Sequence, residues 1–461
     1  MQYNPHNYQM RATDFVVSHK EAALFLDMGL GKTVSTLTAL KNLIDWCEVR
    51  RVLVVAPKSV AQNTWSGECA KWDHLRDLRV SIIMGTVKKR MQALREDADI
   101  YVINRDNLKW LVDMLFAYQI PWPFDTVVLD ESTSFKNHKS ERFKALKSVR
   151  GSIERIIELT GTPAPNGLED LWAQIYLLDG GNRLGHYISQ YRDRYFKPGR
   201  GNGNVVYEWI PCAGAKEQIA EQIADISLSM KSEDYLEMPK VSYIYQQCPL
   251  APKEMEAYRQ FEEDFVMSGD SETITAQTAA ALANKLIQFT GGTVYDDDKK
   301  AHTVSSTKIE TLKDMVEAAE SPVLVYYGYT SERDRIMEEL KAYKPVYFTG
   351  QPEVLTDWNA GNIKVMIAHP ASVAYGLNMQ EGGHIIIWYT TTWNLELYEQ
   401  ANARLYRQGQ NHPVLIYHLI APDTIDGRIT RVLEKKDKTQ DSLLLIIKEL
   451  FQGVKENKLT A

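Results

Sequence analysis

Four short segments of the chain carry side chains that could do chemistry together. The first is Asp27-Met28-Gly29-Leu30-Gly31-Lys32-Thr33, placed before a helix-like run. Its glycines let backbone N–H groups approach a phosphate, and the N-terminus of the following helix adds the positive end of its dipole. Lys32 would then reach the β- and γ-phosphates of a nucleotide, and the Thr33 hydroxyl would ligate Mg2+. The strict pattern asks for glycine where this chain has Leu26.

The second segment is Asp130-Glu131, at the end of the apolar run Phe124-Asp125-Thr126-Val127-Val128-Leu129. A phosphate-loop enzyme needs one carboxylate to hold Mg2+ and a second group to position the attacking water, and Asp130 and Glu131 suit those roles in that order. An acidic pair after a strand is by itself more often a cap or a solvated turn; the upstream loop favours the chemical reading. Third, Leu159-Thr160-Gly161-Thr162-Pro163-Ala164-Pro165-Asn166 would make a rigid turn at a sheet edge where ligands sit, though alone it reads as an ordinary loop. Fourth, Gln400, Arg404 and Arg407 fall at i, i+4 and i+7, on one face if the segment is helical. Arginine suits bidentate phosphate contacts and the stabilisation of phosphoryl transfer, and equally suits a solvated basic face or nucleic-acid phosphate.

The elements that must position these segments follow from short apolar runs. Arg50 to Pro57, Asp99 to Asn104, Thr126 to Asp130, Ile153 to Leu159, Pro322 to Tyr327, Val365 to Ala368 and His384 to Trp388 read as buried strands separated by helix-length segments. That alternation predicts parallel sheets covered on both faces, hence an α/β fold. Between the two groups of strands, Leu168 to Thr290 reads as mainly helical, broken by the loop Lys197 to Asn204. Asp296 to Lys300 marks a solvated turn before the second sheet.

Length and composition bound the reading. A chain of 461 residues exceeds the size of one core. No stretch offers the roughly 20 apolar residues of a membrane span, and the N-terminus has no signal pattern, so a cytoplasmic protein with no membrane partner is expected. Cys47, Cys69, Cys212 and Cys248 lie far apart, which suggests neither zinc nor a disulfide framework. A formal charge of −7 argues against indiscriminate coating of nucleic acid and leaves room for a local basic groove.

Taken in order, the segments resemble the superfamily-two helicases and translocases, in particular the Swi/Snf-like branch of double-stranded-DNA motors. The resemblance runs from Asn4 to Leu433. Tyr8-Gln9 is similar to the family's adenine-reading glutamine, and Ala56-Pro57-Lys58-Ser59 with Trp65 and Glu68 to its first DNA-contacting segment. Asp130-Glu131 with Lys136-Asn137 resembles the acidic box, Leu159 to Pro163 with Asn166 the coupling motif, and Gly376-Leu377-Asn378 and Gln400 to Gln410 the fifth and sixth motifs.

The resemblance implies two RecA-like parallel-sheet lobes in tandem with helical protrusions between them. Residues 1–235 would form the first lobe with a protrusion over 168–235, and residues 236–461 the second, with a protrusion over 252–290 and a C-terminal helix over Asp441 to Leu450. It implies ATP and Mg2+ as cofactors. Gln9, Gly29, Gly31, Lys32, Thr33 and Gln400 would hold the nucleotide, Thr33 and Asp130 the metal, and Lys32, Asp130, Glu131, Arg404 and Arg407 would carry catalysis. DNA would meet Pro57, Lys58, Lys136, Asn137, Thr160, Gly376 and Asn378.

Two departures stand out. Ser132-Thr133 replaces the family's small residue and histidine after the acidic pair, and Val373-Ala374-Tyr375 replaces a Gly-Gly pair before Gly376. Around Arg192, Arg194, Lys197 and Arg200, the aromatics Tyr191, Tyr195 and Phe196 either meet DNA or pack inside the protrusion. The expected function is a minimal ATP-dependent motor on duplex or branched DNA, of the kind bacterial or phage genomes encode, acting in a bacterial or phage-infected cell. The alternatives are a helicase that unwinds from single-stranded DNA or RNA, and a non-enzymatic nucleic-acid-binding scaffold; the intact Lys32, Thr33, Asp130, Glu131, Arg404 and Arg407 argue against decay to the latter.

Overall fold

The computed structural model describes residues 1–434 apart from 166, 200, 203, 204, 207, 208, 237, 269–275, 297 and 374–376. Asn166, Arg200, Gly376 and the segment Asp441 to Leu450 therefore lie outside the described residues. The chain divides into two compact units, Met1–Leu236 and Glu237–Ala461. Each is built on its own parallel sheet, so the fold is α/β with two RecA-like lobes in tandem.

The first sheet uses β1 (Glu21–Leu26), β2 (Val52–Ala56), β3 (Val80–Ile83), β4 (Ile100–Asn104), β5 (Thr126–Asp130) and β6 (Arg155–Thr160). Among its interior strands β2, β4 and β5 are rich in β-branched residues and buried along their length; all five residues of Val-Leu-Val-Val-Ala in β2 are inside, as a strand covered by helices on both faces requires. Two antiparallel ribbons follow, β7 (Phe196–Pro198) with β10 (Trp209–Pro211) and β8 (Gly201–Asn202) with β9 (Val205–Val206). The chain then returns to the sheet as β11 (Ser227–Met230), giving the order β11-β1-β6-β5-β2-β4-β3 with every pairing parallel.

The second sheet opens with β12 (Val241–Gln247), before the charged turn expected to precede it. That turn joins the hairpin β13 (Thr293–Tyr295) and β14 (Ala301–Thr303), which stands outside the sheet. With β15 (Val323–Tyr326), β16 (Val346–Phe348), β17 (Val365–Ala368), β18 (Ile385–Trp388) and β19 (Val414–Ile420), the order is β12-β19-β18-β15-β17-β16, again all parallel. Its core gathers Tyr326, Trp358, Met366 and Trp388, and the buried Trp358 indole is satisfied by donating to the Met379 carbonyl at 2.8 Å.

All seven runs read as strands are strands. The middle is less helical than expected. The helices Glu169–Asp179, Ile188–Tyr195, Ala215–Ile223, Pro252–Ser268 and Ala276–Thr290 are present, but β11 and β12 belong to the two sheets and part of the expected loop is ribbon. Both strands are sheet edges that mix polar with apolar residues, so neither shows the continuous apolar run of a central strand. Among the described residues no helix is long and apolar enough to cross a membrane.

Candidate nucleotide site and arginine cluster

Because the first sheet is parallel and orders β1, β6, β5 and β2 side by side, the segments that follow these strands emerge along one edge. That edge, at the carboxyl ends of the strands, is where open α/β sheets bind ligands. It carries the glycine loop after β1, the coupling turn after β6, the acidic pair after β5 and Pro57-Lys58 after β2.

The loop residues Gly29 and Gly31 have φ of 88° and 70°, a left-handed conformation that side chains with Cβ adopt only at a cost. Gly31 caps helix α2 (Lys32–Asp45), which places Lys32 and Thr33 in its first turn. No side-chain hydrogen bond caps that helix end, which leaves its first N–H groups as a candidate cradle for an anion. The Lys32 ammonium donates to the carbonyls of Leu26 at 2.6 Å and Asp27 at 3.4 Å, folding back over the cradle. A Cβ at Gly31 would stand 2.5 Å from Gln9 Nε2, so the Gln9 amide lies directly against the loop. Gln9 sits in the first turn of the helix Asn7–Ser18, where its Oε1 accepts from the His6 N–H at 2.9 Å. Asp27 is held from the far side, accepting from the Ser232 N–H at 3.0 Å and hydroxyl at 3.3 Å.

Asp130 ends β5 almost fully inside, and its Oδ2 accepts from the Trp65 indole at 2.9 Å. Burial pushes its carboxyl above the ordinary range, opposed by the Trp65 donor and the positive charge of Lys32. A divalent cation at this carboxylate would reverse that balance, because the ion's own charge dominates local ionisation. Glu131 has φ 54°, a left-handed backbone that costs about 1–2 kcal/mol for a residue with a Cβ. Such a conformation persists only where its surroundings enforce it, and it clusters at functional sites.

The coupling turn closes on both neighbours. A Cβ at Gly161 would come 3.4 Å from the Leu26 carbonyl and 3.8 Å from Lys32 Nζ, so this turn abuts the glycine loop. Thr133 and Thr160 bring their hydroxyls to 3.5 Å, and Thr160 Oγ1 also accepts from the Thr162 N–H at 3.1 Å. The threonine that stands in place of the family's histidine thus touches the coupling motif.

Of the expected DNA contacts in this unit, Lys58 and Asn137 are exposed. Pro57 is buried at the N-cap of helix α3 (Lys58–Lys71), and Thr160 is fully buried with its hydroxyl engaged internally, so neither presents a surface. Lys136 pairs with Asp170 at 3.7 Å. Trp65, read with the DNA-contacting segment, is wholly buried, and its N–H serves Asp130 instead. Tyr191, Tyr195 and Phe196 pack in the core, while Arg192 pairs with Glu169 at 2.7 Å and lies 5.0 Å over the Trp209 ring. The packing alternative therefore holds for these aromatics.

In the second unit the helix Leu395–Asn402 ends before Arg404, so Gln400, Arg404 and Arg407 do not share one helical face. Turns bring the two arginines together instead. Arg404 donates to the Leu377 carbonyl at 3.1 Å, and Arg407 to the same oxygen at 3.2 Å. Gln400 is buried, its amide donating to Glu396 at 3.2 Å and its carbonyl accepting from Arg404 Nε at 2.9 Å. Asn378, beside that shared carbonyl, is exposed. Gln410 pins the end of the segment to the carbonyls of Gln380 and Gly383, both at 2.8 Å.

Sequence reasoning missed Ser232 as the brace of Asp27, and a polar cluster of Glu158, Ser132 and Gln174 behind the acidic box. Ser232 gives no signal, since its contact spans 205 residues. Glu158 does give one: a carboxylate in the middle of Ile156-Ile157-Glu158-Leu159.

Two parallel-sheet lobes, the first with a glycine loop and acidic pair on one strand edge, define a RecA-like motor core. The profile of the SNF2-related domain matches residues 8–291. Protein p41 of Acyrthosiphon pisum secondary endosymbiont phage 1 is 36% identical, over 97% of this chain and 99% of its own length. The mouse (Mus musculus) protein described as DNA annealing helicase and endonuclease ZRANB3 is 26% identical over 94% of this chain and 40% of its own length. A solved structure, the Sulfolobus solfataricus SWI2/SNF2 ATPase core in complex with dsDNA, shares 22% identity over 97% of this chain and 96% of its own, with a TM-score of 0.45. The chain belongs to the SNF2-related domain family, within the Swi/Snf-like branch of the superfamily-two helicases and translocases. It is an ATP-hydrolysing enzyme of the nucleic-acid-dependent class.

Proposed function

We propose that this protein is a minimal DNA translocase that acts on duplex or branched DNA and draws its motion from Mg2+-dependent ATP hydrolysis in a bacterial or phage-infected cell. The observation that carries this reading is the meeting of the Gly29–Thr33 loop, Asp130-Glu131 and Thr160-Gly161 along one edge of the first sheet.

The residues fit ATP and Mg2+. Backbone N–H groups around Gly29 and Gly31, with the α2 N-terminus, would hold the phosphates, and Lys32 would exchange its two carbonyl partners for phosphate oxygens. Gln9 would meet the adenine. Thr33 and Asp130 would hold the metal, which when bound neutralises charge on the transferring phosphoryl group. Trp65 fixes one oxygen of Asp130, leaving the other for the metal. Glu131 would orient the attacking water and take up its proton. Arg404 and Arg407 would stabilise the transferring phosphoryl group, Gln400 bracing Arg404 through its carbonyl. Lys58, Asn137 and Asn378 are the exposed candidates for DNA phosphate, with Lys136 available if its pairing with Asp170 opens. The description of ZRANB3 as a DNA annealing helicase favours DNA over RNA as the track.

Steady-state ATP hydrolysis tests this reading, measured without nucleic acid and then with single-stranded DNA, blunt duplex, a four-way junction and RNA. Strong stimulation by duplex or junction DNA is expected. Stimulation by single strands or RNA alone would replace the translocase reading with an unwinding helicase, and equal rates in all five conditions would overturn coupling to nucleic acid.

A further inference from the structure

Behind the acidic box lies a buried polar cluster that none of these roles uses. Glu158 stands in β6 between Ile157 and Leu159, wholly shielded from solvent, and neither carboxyl oxygen completes a hydrogen bond. A bare buried carboxyl is costly and calls for an explanation. Its neighbour is the Ser132 hydroxyl, one residue past Glu131. That hydroxyl spends its proton elsewhere, donating to Gln174 Oε1 at 2.9 Å. Gln174 in turn donates from Nε2 to the Pro163 carbonyl at 2.6 Å, inside the coupling turn, and to the Asp170 carbonyl at 2.9 Å.

The directions of these bonds fix what Glu158 can do. Ser132 has one proton, and it is on Gln174; what Ser132 still offers Glu158 is lone pairs. Burial pushes the Glu158 carboxyl well above the ordinary carboxylate range, with Asp179 adding to the rise and Arg150 opposing it. Arg150 is committed to the carbonyls of Leu177, Leu178 and Ile153, so it does not neutralise Glu158 by pairing.

We propose that Glu158 is a positioning residue: its carboxyl O–H donates to Ser132 Oγ, and the one-way chain Glu158 to Ser132 to Gln174 to the Pro163 carbonyl ties the acidic box to the coupling turn. An ionised Glu158 would draw the Ser132 proton to itself and leave Gln174 Oε1 without its donor, so the chain holds together in one direction only. The cluster gives this chain a second link between the two motifs, beside the Thr133–Thr160 contact. The inference rests on the proposed DNA-stimulated hydrolysis.

The test is ATP hydrolysis by the full-length protein with and without saturating duplex DNA, for wild type, Glu158→Gln, Glu158→Leu and Gln174→Leu. An amide at 158 can still donate to Ser132, whereas leucine fills the space without donating. Glu158→Leu and Gln174→Leu are expected to lower the stimulated kcat about tenfold while the unstimulated rate and the KM for ATP stay within about twofold; Glu158→Gln is expected to retain stimulation. Leucine suits the apolar strand and leaves no donor unpaired, so folding is spared, and a thermal melt checks it. The Ser132→Ala/Glu158→Leu pair adds a second reading: as links of one chain, the double variant should be no worse than the poorer single. Wild-type stimulation in Glu158→Leu, equal losses in Glu158→Gln and Glu158→Leu, or additive losses in the double variant would each overturn the chain. A wild type that DNA does not stimulate would instead overturn the proposed function, and this inference with it.

Discussion

The two lobes hold their reactive groups in different ways. In the first, the acidic pair and the coupling turn follow directly from β5 and β6, so parallel register and buried strand interiors fix their separation. In the second, Arg404 and Arg407 lie in turns beyond the end of a helix and converge on one carbonyl, that of Leu377. A side chain fixed by strand register is a rigid part of a cradle. An arginine that spends donors on a carbonyl can exchange that acceptor for a phosphate oxygen at little net cost, because one hydrogen bond replaces another. Under the proposed function this difference would make the first lobe the part that receives a nucleotide and the second the part that responds to one.

The largest expected effect sharpens this division. Lys32→Ala should weaken nucleotide binding and cut turnover by roughly 10³ or more, whereas Arg407→Ala should cut turnover by about 10³ with nucleotide affinity within about threefold of wild type. Titration with a fluorescent ATP analogue beside steady-state hydrolysis separates the two, and equal loss of affinity in both variants would erase the distinction between cradle and responder.

A smaller effect tests the rigidity of the first lobe. Trp65→Phe deletes the indole donor to Asp130 and keeps an aromatic ring in its place. Removal of an outer partner of a metal ligand commonly costs 10–100-fold in metal affinity, so the Mg2+ concentration for half-maximal hydrolysis should rise about tenfold. An unchanged Mg2+ requirement would show that strand register alone positions Asp130.

The smallest effect concerns the second lobe. Glu332 is fully buried and accepts from the Thr390 hydroxyl at 2.7 Å and the N–H groups of Gly328 at 2.8 Å and Tyr329 at 3.2 Å. Burial pushes its carboxyl up to about 7, against those donors and Lys308. A raised folded-state value means that folding favours the protonated form, so this contribution is complete below the unfolded value near 4.5 and is lost as pH rises through about 7. Thermal unfolding should show a melting temperature that falls less between pH 5 and 8 in Glu332→Gln than in wild type. Parallel curves would mean that Glu332 is ionised throughout that range.

Much of the first lobe's site was legible because its chemistry is local in sequence. Gly29 to Thr33, Asp130-Glu131 and Thr160-Gly161 each form a short run that ends or follows an apolar strand. The edge strands β11 and β12 were not legible, since an edge half open to water needs no continuous apolar run. Nor were the arginines placed correctly: spacing of i, i+4 and i+7 suggests a helical face, and the helix ends at Asn402.

The sequence by itself determined that this chain builds two α/β lobes with a glycine loop and an acidic pair, because strand burial and the loop pattern both rest on residues adjacent along the chain. Only the tertiary structure decided that Trp65 holds Asp130 across 65 residues, that Ser232 braces Asp27 across 205, and that Ser132 reaches Gln174 across 42. Hydrogen bonds of that kind depend on which strands lie side by side, and strand order is set by the packing of the whole sheet.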